Sequence, residues 1–187
     1  MRKLRSEIPL WDKDNRPTYI RRGILALLIL LTAMFQNTRG AFPTFFGAHA
    51  ILLIPLVVII AMFERGFAGM FFGLFAGILC DICTGGADGF YAIIFTVTGF
   101  LCGTFITYFM RNNIVTAFVL GASASFICCT LYWLFFVLMR SVDGSGYVYI
   151  RYYMVSVLYT TAFVPLYYLI VMKLCEKIKV PRRTFTF

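Results

Sequence analysis

Charge is scarce in this chain of 187 residues: 13% are Asp, Glu, Lys or Arg, about half the share of a soluble domain. With 61% hydrophobic residues there is too little polar surface to cover a soluble core, so lipid is the expected solvent. Histidine occurs once, at His49, and the one C-x-x-C, Cys80 with Cys83, has no second pair. Zinc sites and redox dithiols want more ligands or a polar setting, so no metal and no cofactor is expected. Cys80, Cys83, Cys102, Cys128 and Cys129 fall in or beside apolar stretches and read as small hydrophobes; Cys175 lies near the C-terminal tail. Strict apolar–polar alternation is also missing, which excludes a membrane β-barrel. So is any cluster of acids, histidines or a nucleophile–base pair at one depth, the least an intramembrane enzyme needs. No catalytic residue is assigned.

Long apolar runs are what the sequence does have. Six stand out, at 20–35, 45–63, 66–82, 89–109, 115–139 and 149–172. A helix closes its own backbone hydrogen bonds in lipid and spans with about 20 residues, so the expected fold is an all-α bundle of about six transmembrane helices. The first run is short, leaving a five-span arrangement with an interfacial first helix as the alternative. Pro55 and Pro165 are expected to kink the second and sixth helices. Tyr132, Trp133, Tyr149, Tyr152 and Tyr153 suit interfacial belts.

The net charge of +9 is concentrated in the tails, where basic residues orient spans and meet anionic lipid heads; nucleic acid is not the expected partner. With six spans, fourteen of the seventeen Lys and Arg fall on one side, leaving Arg39, Arg140 and Arg151 on the other. The positive-inside rule then places a basic tail at 1–19 and another at 173–187 in the cytoplasm, around a membrane domain at 20–172. Asp and Glu in the leader of the first span argue against a cleaved signal peptide. Glu64 abuts Arg65 in the sequence and reads as a surface pair.

The third run carries most information. At about 100° per residue, Gly69, Gly73, Gly77 and Asp81 fall within about 60° of Gly66, while Phe67, Phe71, Phe72 and Phe75 lie at least about 100° away. Glycine is unfavourable in a helix interior by about 1 kcal/mol, so the stripe predicts a close helix contact, within the chain or with a partner. Gly69, off the stripe's centre, is expected to matter less than Gly73 and Gly77. Gly89 and the pair Gly99 and Gly103 open and punctuate the next helix, as a matching small-residue face. Asp81 has two readings: an acid stabilising the turn before Thr84, Gly85 and Gly86, or a functional intramembrane carboxylate.

Taken in order, Glu64-Arg65-Gly66, Gly69, Gly73, Gly77, Asp81, Gly85-Gly86, Gly89, Gly99 and Gly103 resemble the rod shape-determining protein MreD family. Gln36 resembles a Leu-Gln-Ser/Thr element of that family, with Phe35 and Asn37 in the flanking places; Ala48-His49 stands where the family has Pro-Asp or Pro-Asn. The resemblance covers about a third of the chain. It implies a non-enzymatic plasma-membrane component of the bacterial cell-elongation machinery, binding an MreC-like single-span protein and working with MreB, RodA and a class B penicillin-binding protein in lateral peptidoglycan synthesis. The alternative is the substrate-binding component of an energy-coupling-factor transporter for a vitamin or small solute. Its expected polar groups are Gln36, Asn37, Arg39, Asp81 and Asp88.

The basic asymmetry generates a first prediction. Reporters active only outside the cytoplasm are expected to be silent when fused to either end; activity at the C-terminal fusion alone would require an odd number of spans.

Overall fold

The computed structural model describes residues 16–38, 51–64, 66–84, 89–108, 112–138 and 145–178. Among them every element is helical: α1 (Arg16–Asn37), α2 (Leu53–Glu64), α3 (Gly66–Thr84), α4 (Phe90–Tyr108), α5 (Ile114–Trp133), α6 (Ser145–Val148), α7 (Met154–Ala162) and α8 (Val164–Lys177). Wide helical turns extend α5 over Leu134–Leu138 and lead into α7 over Tyr149–Tyr153. Among the described residues, five segments are long and apolar enough to cross a membrane: Pro17–Asn37, Gly66–Thr84, Phe90–Tyr108, Ile114–Val137 and Tyr149–Lys177. The protein is an all-α membrane bundle. The first helix is longer than its apolar run at 20–35, with 22 residues and a length of about 33 Å, because it also takes in 16–19 before the run and Gln36 and Asn37 after it.

The second apolar run behaves differently. Its described helix, α2, has 12 residues, ten of them buried, and it packs against α1, α3, α4, α5 and α8. His49 and the first part of the expected 45–63 span lie outside the described residues. A helix start buried at Leu52, Leu53 and Ile54 leaves backbone donors away from water, and each needs a partner. Gln36 Oε1 accepts from the Leu53 N–H at 3.3 Å, and Thr160 Oγ1 from the Ile51 N–H at 3.2 Å. The Ile54 N–H reaches the Ile51 carbonyl at 3.2 Å. Pro55 has no N–H to satisfy. It occupies the first turn of α2 rather than its middle, so the kink expected there does not form.

Pro165 does interrupt its helix. The sixth span divides at Phe163, whose N–H returns to the Thr160 carbonyl at 3.2 Å, and Pro165 sits in the first turn of α8. At the opposite end of this span Tyr132, Trp133, Tyr149 and Tyr153, of the expected interfacial aromatics, gather into one packed group. Tyr132 stacks on Tyr91 and Phe136 at 5.6 and 4.6 Å, and Trp133 meets Tyr149 at 4.9 Å. Rings of this kind contribute packing and let the phenol or indole meet polar groups; Tyr149 shares a 2.8 Å hydrogen bond with Thr130.

Glu64 departs from its expected role as a surface acid. Its side chain is 1% exposed, held by Arg21 Nε and Nη2 at 2.6 Å on Oε1 and by Arg22 Nε at 3.2 Å on Oε2. Arg65 lies outside the described residues. The start of α1 and the α2–α3 turn therefore share one end of the bundle. Glu64→Gln leaves two guanidinium groups facing a neutral amide and is expected to lower unfolding stability in detergent by about 3 kcal/mol. A thermal or denaturant midpoint equal to wild type would show the pair to be screened and idle.

Candidate functional site

The glycine stripe of α3 is occupied from within the chain. α4 runs antiparallel to α3, with Gly77 opposite Tyr91 and Ala92, Gly73 opposite Phe95 and Thr96, and Gly69 opposite Gly99. A Cβ at Gly77 would lie 2.5 Å from the Ala92 Cα, and one at Gly73 would lie 2.8 Å from the Phe95 carbonyl carbon. These are backbone atoms, which have no rotamer to escape into. The sequence left open whether the contact was internal or with a partner; the geometry makes it internal.

Gly69 holds a different place from the one its angle implies. A Cβ there would lie 2.8 Å from both the Ala61 Cβ and the Gly99 carbonyl oxygen. Gly69 is the point where α2 and α4 both close on α3, so it is as constrained as Gly73 and Gly77. Gly99 is matched to it, 3.0 Å from the Gly69 carbonyl carbon by the same construction, and Gly103 is buried one turn on. Gly66 and Gly89 are not part of this seam. Nothing lies within 4 Å of a Cβ at either, and they are required instead by φ values of +29° and +87°, backbone conformations that glycine adopts without penalty. Phe67 and Phe71, opposite the stripe, are 73% and 63% exposed, which in this bundle means facing lipid.

Asp81 completes the seam. Its Oδ1 accepts from the Tyr91 N–H at 3.1 Å and its Oδ2 from the Ala92 N–H at 2.9 Å. The carboxylate of one helix thus caps the first turn of the next, taking two orphan donors and meeting the positive end of its dipole. This is the turn-stabilising reading in a specific form, across ten residues rather than on its own turn; Gly85, Gly86 and Asp88 lie outside the described residues. Thr84 folds back on the Cys80 carbonyl at 2.8 Å. Among the described residues no group of three His, Cys, Asp or Glu is placed to hold a metal, and the six cysteines are unpaired thiols.

One close contact was not singled out from the sequence. A Cβ at Gly121 would lie 2.7 Å from Val164 Cγ2, so α5 and α8 also meet over glycine. The run Gly121-Ala122-Ser123-Ala124-Ser125 was the available signal; Ser125 is fully buried and bonds the Gly121 carbonyl at 2.8 Å.

Fold and seam define a polytopic α-helical membrane protein organised on an internal glycine hairpin. No family model matches the chain, and no solved structure does. Over 45 residues, 24% of the chain, it is 40% identical to threonine–tRNA ligases of Streptococcus pneumoniae, among them those of strains Hungary19A-6 and 70585. The matched segment spans 7% of the length of those relatives. It is shorter than a typical domain of about 50 residues or more and carries no activity to this chain.

Substitution separates the two faces of α3. Gly69→Leu, Gly73→Leu and Gly77→Leu are each expected to lose most folded yield in detergent, since overpacking against backbone exceeds the roughly 1–3 kcal/mol of an ordinary core insertion. Phe71→Leu should stay near wild type, and Asp81→Asn should fall between, losing one of two capped donors at about 1–3 kcal/mol. Equal yields across the series would mean the helices do not touch as described.

Proposed function

We propose that the protein is a non-enzymatic component of the bacterial cell-elongation machinery, seated in the plasma membrane with both termini cytoplasmic, that docks an MreC-like single-span partner. MreB, RodA and a class B penicillin-binding protein belong to the same assembly. One observation carries the reading. Gly66 and Gly89 apart, the described residues on which the resemblance to the MreD family rests form one connected framework. Glu64 anchors α2 to α1, Gly69, Gly73, Gly77 and Gly99 close the hairpin, Asp81 caps α4, and Gln36 caps α2. Short connections suit a scaffold, which works by presenting a fixed outer surface. Since the glycine face is already filled, the partner's helix docks on an outward face.

The transporter alternative draws no support from these residues. Of its expected polar groups, Asp81 and Gln36 are engaged with backbone donors, Asn37 is exposed at the end of α1, and Arg39 and Asp88 lie outside the described residues.

Crosslinking in native membranes, followed by purification and mass spectrometry, tests the proposal. An MreC-like single-span protein is expected in near-stoichiometric yield, with no co-extracted vitamin. A stoichiometric small solute arriving with ATPase subunits would overturn the proposal and install the transporter reading.

A further inference from the structure

Away from the hairpin seam, α1 and α3 leave a groove of about 330 Å³ between them, at the small end of the range for ligand sites. Its walls are Arg22 and Ala26 from α1 and Ala68, Phe71, Phe72 and Phe75 from α3. The spacing is that of two helix faces: 22 and 26 are one turn apart, and 68, 71, 72 and 75 make one stripe. The two alanines open the groove and the phenylalanines wall it in.

Its polarity runs one way. Arg22 lies at the charged end of the bundle, level with Glu64, and Phe75 is about 13 Å further along α3 from Gly66. Arg22 Nε is turned to Glu64 Oε2, yet the side chain is 46% exposed. Within the described cluster two guanidinium groups face one carboxylate, so a positive charge is left over at the groove's mouth. Tyr19, 68% exposed and one turn before Arg22, brings a phenol to the same face. Above, then, stand cationic and hydrogen-bonding groups at an interface; below runs an apolar channel open along the lipid-facing surface.

We propose that this groove holds one anionic glycerophospholipid, its phosphate on Arg22 and one acyl chain lying over Ala26 and Ala68 against the three phenylalanines. Charge complementarity selects the occupant. A neutral or zwitterionic lipid gains only the channel, whereas an anionic head also neutralises the surplus guanidinium charge, and Arg offers phosphate two parallel donors. A transmembrane helix is too wide for a channel walled by single side chains, since a helix with its side chains is about 10 Å across.

Native mass spectrometry of the full chain in detergent tests this, with dioleoyl phosphatidylglycerol or dioleoyl phosphatidylcholine titrated in. Wild type is expected to retain one phosphatidylglycerol per chain in about fivefold preference over phosphatidylcholine, the worth of roughly one basic residue at a membrane surface. Arg22→Gln should abolish the preference while leaving the weaker chain binding common to both lipids. Ala68→Phe should lose the retained lipid at an unchanged melting midpoint, and Ala26→Leu, on the opposite wall, gives the same readout should Ala68→Phe not fold. Equal retention of the two lipids by wild type would overturn the proposal, as would undiminished retention in the filled-groove variants. So would a protein segment photocrosslinked at position 71 in native membranes in place of lipid.

Discussion

Where α3 meets α4 there is no room for one carbon atom. Along Gly69, Gly73 and Gly77 the backbone of one helix rests on the backbone of the other, and a methyl group at any of the three would overlap main-chain or Cβ atoms. In lipid, where burying an apolar side chain against protein gains little over leaving it in the bilayer, attraction between helices comes from dispersion over many close contacts and from polar groups between backbones. Stripping one face to glycine brings the helices near enough for both. The same approach brings the end of α3 within reach of the start of α4, so the Asp81 cap is a consequence of the seam and also reinforces it. It also opens the notch at Gly69 into which Ala61 of α2 fits, coupling the hairpin to the central helix.

That central helix raises a second requirement. α2 begins inside protein, where an unpaired N–H is more damaging than at a solvated surface. Its first donors are met by side chains borrowed from α1 and α7, Gln36 and Thr160, and by a proline that has no donor to offer. Asp81 does for α4 what Gln36 does for α2. Two polar side chains in apolar helices are thus explained by helix starts. The charged end of the bundle works alike: Glu64 is buried, and Arg21 and Arg22 let it be so. Arg22 is the member of this trio that remains half in the open, and there the structure turns toward its lipid environment.

A bundle of this construction is internally satisfied along its seams and meets its surroundings through what it leaves outside. The seam, the caps and the ion cluster use up the residues that make the chain distinctive in sequence. Its described outer surface is rich in Phe, Leu, Ile and Val, with a groove and a basic mouth between α1 and α3. On the proposed reading as a scaffold, partner specificity resides in the shape of that apolar exterior, which the interior framework maintains.

The all-helical bundle could be read from composition and run length, because about 20 apolar residues have few other stable forms in lipid. The α3 stripe was equally visible, since helical periodicity alone puts Gly69, Gly73 and Gly77 on one face and the phenylalanines on the other. Periodicity carries only angle, however, and Gly66, at zero on the wheel, proved to serve a positive φ outside the seam, as Gly89 does. Tertiary structure alone decided the partners. Glu64 took partners in Arg21 and Arg22, more than 40 residues away. Asp81 found donors ten and eleven residues on, Gln36 reached Leu53, and Gly121 met Val164. Hydrophobic length and helical period are properties of a segment and survive translation into sequence. Hydrogen bonds, ion pairs and backbone clearances are properties of two segments, and exist only once the fold has brought them within a few ångströms of each other.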